Sequence, residues 1–138
     1  MPRSAQALCD TGPLVALADR TDSLHDACRK ALEGFAGDLV TTWPVLSEAF
    51  YFLDRPYHRA LLWDIITDGG IQLADISPPG LSRMRALMDQ YADLPMDFAD
   101  ASLVALAERL KMRRVFTLDH RDFHIYRPRH LRSFEVFP

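Results

Sequence analysis

Four carboxylates stand out by position. Asp10 directly follows the apolar run Ala5-Gln6-Ala7-Leu8-Cys9. Glu48 lies about one turn past Pro44, among Val45, Leu46, Ala49 and Phe50. Asp100 stands near the head of Phe98 to Leu110, and Asp119 ends Val115-Phe116-Thr117-Leu118. Hard ions such as Mg²⁺ and Mn²⁺ prefer oxygen ligands, Mg²⁺ usually a few carboxylates plus waters and phosphate oxygens. Carboxylates drawn together repel one another, and a bound cation relieves that cost and keeps them ionised. Two such ions about 4 Å apart can activate a water and stabilise the departing oxygen in phosphodiester hydrolysis. No protein nucleophile is then needed.

Each acid also has a plainer role. Asp10 suits a helix N-cap, where it offsets exposed amides. Glu48 reads as a solvated helix acid, although its apolar neighbours argue for a partner, and a cation is one solution. Asp97 and Asp100 resemble a capping box with Asp in place of Glu, and Asp97 is read as the cap. After Asp100 come Ala101, Val104, Ala105 and Ala107, a small face able to pack closely on a sheet. That packing aims the Asp100 carboxylate at the ends of the strands. Asp119 and Asp122 divide the same way: the strand-end position gives function to Asp119 and the turn cap to Asp122. The histidines show no paired metal-ligand spacing. His25 and His58 are expected on exposed helix faces, and His120, His124 and His130 on the surface of a basic end, within reach of phosphate.

The elements that must position these acids alternate in type. Strands are predicted at 5–9, 39–42, 71–76, 114–118 and 133–137. Helices are predicted from the Asp10-Thr11-Gly12-Pro13 turn to about Ala18, at 24–35, from Pro44 to about Leu53, and at 57–68, 79–92 and 98–110. The 24–35 segment carries Leu24, Ala27, Cys28, Ala31, Leu32 and Phe35 at helical spacing. Pro44 suits a first helical turn. Gly69-Gly70, Pro78-Pro79-Gly80 and Pro95 mark turns. Alternation of this kind predicts a three-layer α/β/α sandwich around a mainly parallel central sheet. In such sheets ligands gather beyond the carboxyl ends of the strands, where Asp10 and Asp119 stand.

The 138 residues predict one domain, 1–138, with about half of them apolar and a quarter charged. The formal net charge of -3 gives no general attraction to nucleic acid. Charge is uneven, though: residues 109–138 hold eight Lys and Arg against three acids, a local +5, so the first 108 residues carry -8. Such asymmetry marks either a polyanion-binding face or a solvated Arg-rich end. Cys9 and Cys28 suit neither a disulfide framework nor a zinc site and are expected buried and reduced. The N-terminus has no apolar h-region, and no stretch approaches the roughly 18 apolar residues of a membrane span. A cytoplasmic protein is expected.

Taken together, four strings resemble the PIN domain, particularly VapC-type toxins of toxin–antitoxin pairs. They are Leu8-Cys9-Asp10-Thr11-Gly12-Pro13-Leu14, Leu46-Ser47-Glu48-Ala49, Phe98-Ala99-Asp100-Ala101-Ser102-Leu103-Val104-Ala105-Leu106-Ala107, and Thr117-Leu118-Asp119-His120-Arg121-Asp122-Phe123. The resemblance places the family's acidic quartet on Asp10, Glu48, Asp100 and Asp119. It matches Thr117 to a hydroxyl residue two places before the last acid, Thr11 to the polar residue after the first, and Asp97 to an extra acid of some members. Thr11 and Thr117 would then hold a metal-bound water or orient a carboxylate. The resemblance implies a Mg²⁺- or Mn²⁺-dependent endoribonuclease acting on structured RNA such as tRNA or rRNA. It also implies a homodimer and a small antitoxin that fills the acidic groove.

Two other readings compete. A haloacid-dehalogenase-like phosphatase or receiver domain also places an Asp after its first strand. The phosphatase needs a second Asp two residues on, where Gly12 stands, and both want a late Lys that Lys111, which precedes its strand, does not supply. The other is a catalytically inactive PIN-like RNA-binding or scaffolding domain, against which the full quartet argues.

Overall fold

A computed structural model describes residues 5–138. Its strands are β1 (Ala5–Cys9), β2 (Gly37–Thr41), β3 (Gln72–Leu73), β4 (Arg114–Phe116) and β5 (Glu135–Phe137). Its helices are α1 (Thr11–Ala18), α2 (His25–Glu33), α3 (Trp43–Phe52), α4 (Pro56–Thr67), α5 (Pro78–Gln90), α6 (Phe98–Leu110) and α7 (His120–Ile125). The strands form one sheet in the order β3-β2-β1-β4-β5, and every neighbouring pair is parallel. Right-handed crossovers then place helices on both faces, because the chain winds outward from β1 in one direction and returns to wind in the other. The result is an α/β/α sandwich.

The central strand is buried on both faces. Ala7, Leu8 and Cys9 of β1 are fully covered, as a strand between two helical layers must be. α6 has Ala99 and every residue from Ala101 to Ala107 buried, so it is a core helix on all sides. Its small side chains let it lie close against its neighbours. α3, α4 and α5 each carry proline in their first turn, where a missing N–H costs nothing. Ser77 caps α5 by accepting a hydrogen bond from the Gly80 amide at 3.2 Å.

Two predicted strands come out shorter than expected, and one observed helix has no predicted counterpart. The strand expected at 71–76 pairs only through Gln72 and Leu73. It is an edge strand with both residues exposed, and the Pro78-Pro79-Gly80 segment, read from sequence as a turn, instead opens α5. The strand expected at 114–118 stops at Phe116, and Leu118 has left the ladder. The six-residue α7 shows no apolar period long enough to announce it. Asp119 starts it by accepting a hydrogen bond from the Asp122 amide at 3.2 Å. Cys9 and Cys28 are buried and free. No helix among the described residues is long and apolar enough to cross a membrane.

One buried polar contact fixes how α3 and α6 start. The Thr42 and Ser102 hydroxyls are hydrogen-bonded at 2.6 Å, and Ser102 also donates to the Ala99 carbonyl. We expect Ser102→Ala to cost about 1–3 kcal/mol, because it strands a buried hydroxyl. Thr42→Val combined with Ser102→Ala should cost less than the two single changes added together. Urea unfolding of the three variants checks this, and strict additivity would contradict it.

Candidate metal centre

The sheet order reverses between β1 and β4. Chains leaving those two strands diverge and open a crevice at their carboxyl ends. Asp10 leaves β1 and Asp119 lies just beyond β4. Asp10 is only 7 % exposed. It caps α1, with one carboxylate oxygen accepting from the Thr11 amide and the other from the Thr117 hydroxyl, both at 2.8 Å. The same Thr117 hydroxyl accepts from the Asp119 amide at 3.0 Å. One buried threonine therefore ties the loop after β4 to the acid after β1.

α6 supplies the next pair. Asp97 caps the helix by accepting from the Asp100 amide at 2.7 Å. Asp100 then presents its carboxylate from the first turn. Ligand atoms of Asp100, Asp119 and Asp122 all lie within 4.8 Å of one another. Asp122, read from sequence as a turn cap, thus stands in the cluster itself. Glu48 on α3 is half-buried at the edge of this group, near Thr11 and Asp97. Asp97 caps its helix, and its charge also acts on Asp10, Glu48, Asp100 and Asp122.

The electrostatics record this crowding. Burial pushes Asp100 up to about 8, with the charges of Asp10, Asp97 and Asp119 adding to it. Burial also pushes Asp10 up to about 6, against the opposing hydrogen bonds from Thr117 and Thr11. Glu48 is raised by burial and by Asp97. Asp122 is raised by burial and by its neighbour Asp119. Apart from Arg121 beside Asp122, these acids face one another, and their donors are all oxygens, the set that Mg²⁺ or Mn²⁺ prefers. The Thr11 hydroxyl is buried and has no hydrogen-bond partner. Its nearness holds the Glu48 carboxyl down in part, although the pair does not reach hydrogen-bond geometry. An orphaned oxygen beside clustered carboxylates fits a site for a hydrated cation.

Sequence reasoning did not single out Tyr126. Its side chain is fully buried, and its hydroxyl donates to Asp100 at 2.7 Å. Burial and the Asp100 charge raise the phenol well above its ordinary value, so it stays a donor. The contact spans 26 residues of sequence and no local spacing signals it.

The histidines and the basic end also need correction. His25 and His58 are half-buried rather than exposed, His25 against the Ala16 carbonyl and His58 against Asp19. His130 is half-buried on the Met112 carbonyl. Arg113 and Arg114 lie at the start of β4, the end of the sheet opposite Asp119, and both face Glu135. Arg114 also stacks on Phe35 and Phe137. A separate hollow of about 300 Å³ between α5 and α6 holds the Arg83–Glu108 pair with Arg109, Lys111 and Arg129. None of the predicted site residues lines it.

The family model for the PIN domain matches residues 7–127. The chain is 28% identical over 135 residues to ribonuclease VapC26 of Mycobacterium tuberculosis, covering 95% of this chain and 99% of that protein. Its fold matches the crystal structure of VapC20 of Mycobacterium tuberculosis, a sarcin–ricin loop cleaving toxin. The TM-score is 0.70 at 17% identity, over 79% of this chain and 86% of that one. It also matches VapBC2 of Rickettsia felis bound to a promoter DNA fragment, with a TM-score of 0.66 at 14% identity, over 96% and 99% of the two chains.

The crowding has a stability signature. The folded Asp100 near 8 stands above its ordinary carboxylate value of 3.8. A group raised in this way favours folding fully below about pH 4, and that contribution is lost as the pH climbs through about 8. Asp10 behaves likewise in a window that closes near 6. We expect the melting temperature of metal-free protein to fall as pH rises across that range. Added Mg²⁺ or Mn²⁺ should raise it most at the alkaline end. Asp100→Asn should raise it at neutral pH by roughly 3 °C or more, equivalent to about 1 kcal/mol. Thermal melts at matched ionic strength check this, and an Asp100→Asn protein that melts lower at neutral pH would contradict it.

Proposed function

This chain belongs to the PIN-domain family, and we propose that it is a metal-dependent endoribonuclease, the toxin component of a toxin–antitoxin pair. The observation that carries the reading is the convergence of acids from four elements on the crevice between β1 and β4. Asp100, Asp119 and Asp122 lie within 4.8 Å of one another there, with Asp10 buried beside them. The ribonuclease relative supports the reaction class. A structural neighbour described as a toxin–antitoxin complex, from Klebsiella pneumoniae, supports a small antitoxin as partner. We further propose a single domain, a homodimer, a structured RNA such as tRNA or rRNA as substrate, and action in the cytoplasm.

Asp10, Asp100 and Asp119 would hold Mg²⁺ or Mn²⁺ directly or through water, with Asp122 as a further oxygen donor. Bound there, the ions would supply positive charge that polarises the phosphodiester and acidifies the attacking water. Glu48 would help to hold the metal or take the water's proton; burial raises its carboxyl, which strengthens it as a base. Thr117 holds Asp10 in one orientation and Tyr126 does the same for Asp100. Thr11 has a free hydroxyl to offer a bound water. Of the basic residues, Arg121 adjoins Asp122 and is the best placed to meet a phosphate near the cluster.

Cleavage of a mixed RNA substrate with Mg²⁺ or Mn²⁺, against a parallel reaction in EDTA, tests the proposal. Asp10→Asn and Asp100→Asn should each lose more than about 100-fold in rate while remaining folded and able to bind the antitoxin. Tyr126→Phe removes only the group that orients Asp100 and should cost about 10–100-fold, the usual effect of losing a residue that supports a metal ligand. Undiminished cleavage by both Asp variants would reject the site. RNA binding should weaken as salt rises, but with a shallow slope, because few cations adjoin the cluster.

A further inference from the structure

The start of α3 and the start of α6 stand at the same rim of the sheet as Asp10 and Asp119, and each begins with an aromatic residue. These are Trp43 and Phe98, whose rings meet edge to face at 5.7 Å and 79°. Trp43 is 50 % exposed, and Tyr51, two turns further along α3, is 79 % exposed. The three rings line a shallow hollow of about 500 Å³, and Ser47, Glu48 and Asp97 line it too. Through Glu48 and Asp97 the hollow borders the edge of the acidic centre. We infer that it receives an unpaired nucleobase of the bound RNA, stacked against Trp43 and Phe98 beside the scissile phosphate. The inference rests on the ribonuclease reading for its choice of ligand.

Chemistry selects that occupant over a protein surface. Large aromatic side chains left open to water ask for a partner, and an apolar protein face could supply one. It would, however, also bury Glu48 and Asp97 without counter-charges, which is costly. Protein interfaces are depleted of such charges at their core. A nucleobase offers a flat π-face to the rings and N–H donors to the carboxylates and to the Ser47 hydroxyl. It is tethered to a phosphate, so a base in this hollow puts that phosphate at the edge of the carboxylate group. Stacking of this kind tolerates different bases and requires that the base be unpaired. A double-helical RNA, its bases already stacked, cannot enter.

Trp43 itself reports the event. Trp63 is the second of the chain's two tryptophans, and Trp63→Phe leaves Trp43 as sole emitter. In that background, with Asp100→Asn to prevent cutting, short single-stranded RNA of mixed sequence should quench the emission. The same strand carrying abasic sites, and a blunt RNA duplex, should not. Phe98→Ala and Tyr51→Ala should each weaken single-strand binding by about 5- to 150-fold, the range measured when a stacking ring is removed. Trp43→Ala in the otherwise intact protein should slow cleavage of the single strand by a similar factor, and Trp43→Phe should restore most of it. Equal quenching by the abasic strand would overturn the inference. So would a fall in sedimenting mass on Tyr51→Ala with no RNA-dependent quenching, which would make the face a contact between copies. If the intact protein cuts nothing yet quenching is base-dependent, the nuclease reading fails and the nucleobase site stands. If Trp43→Ala cuts at full rate, the nuclease reading stands and the nucleobase site fails.

Discussion

Mutual repulsion between buried carboxylates is the constraint around which the fold is arranged. Asp10 and Asp100 gain their charge only against burial and against each other. A chain collapsing freely would keep such groups apart in water. Here the reversal of strand order between β1 and β4 opens the crevice that gathers them, and helices on either side close its walls. The location follows from winding direction, so it is as robust as the sheet. The acids need only occur at the first positions after the right strands and at the heads of the right helices.

Those positions are held by apolar packing elsewhere. α6 is covered from Ala101 to Ala107 and packs against α3 and α5, and the central strand β1 is buried from Ala7 to Cys9. Moving Asp100 out of the cluster would mean withdrawing that helix from the core. The hydroxyl contacts add direction to this anchoring. Thr117 answers Asp10, Tyr126 answers Asp100, and the Thr42–Ser102 bond keeps the starts of α3 and α6 together. Thr117 and Tyr126 are neutral donors, so each orients a carboxylate without neutralising it. The negative charge survives for a cation to use, which an arginine or lysine in the same place would have prevented.

Much of this was legible in the sequence. Apolar runs ending in a single acid placed Asp10 at the end of β1 and Asp119 shortly beyond β4, because a strand buried on both faces is mostly apolar until it stops. The small-residue run after Asp100 marked a helix packed close to its neighbours. What escaped was whatever depends on contacts distant in sequence. Asp122 looks like a turn cap from its spacing, but Asp119 caps α7 and the Asp122 side chain faces Asp100. Tyr126 sits at the end of that helix and reaches an acid on α6. Edge strands were overestimated for a related reason: β3 ends where its neighbour and the following prolines decide, and its own residues would have allowed more.

The basic end of the chain shows why composition misleads about substrate attraction. Eight Lys and Arg in the last thirty residues look like a polyanion-binding face. In the fold, Arg113 and Arg114 stand at the amino end of β4, the far end of that strand from the acids, and Arg109, Lys111 and Arg129 surround the Arg83–Glu108 pair. Arg127 is turned back on the carbonyls that end α7. Close to the carboxylates the field is therefore negative, and a polyanion meets no ready-made cradle. On the proposed reading, attraction at that point would come from divalent cations and from surfaces indifferent to charge. The aromatic rings at the starts of α3 and α6 are such a surface. On the reading proposed above, a site built this way would couple grip to catalysis: without metal the cluster would repel a polyanionic strand, and with metal the same residues would offer that strand a positive charge.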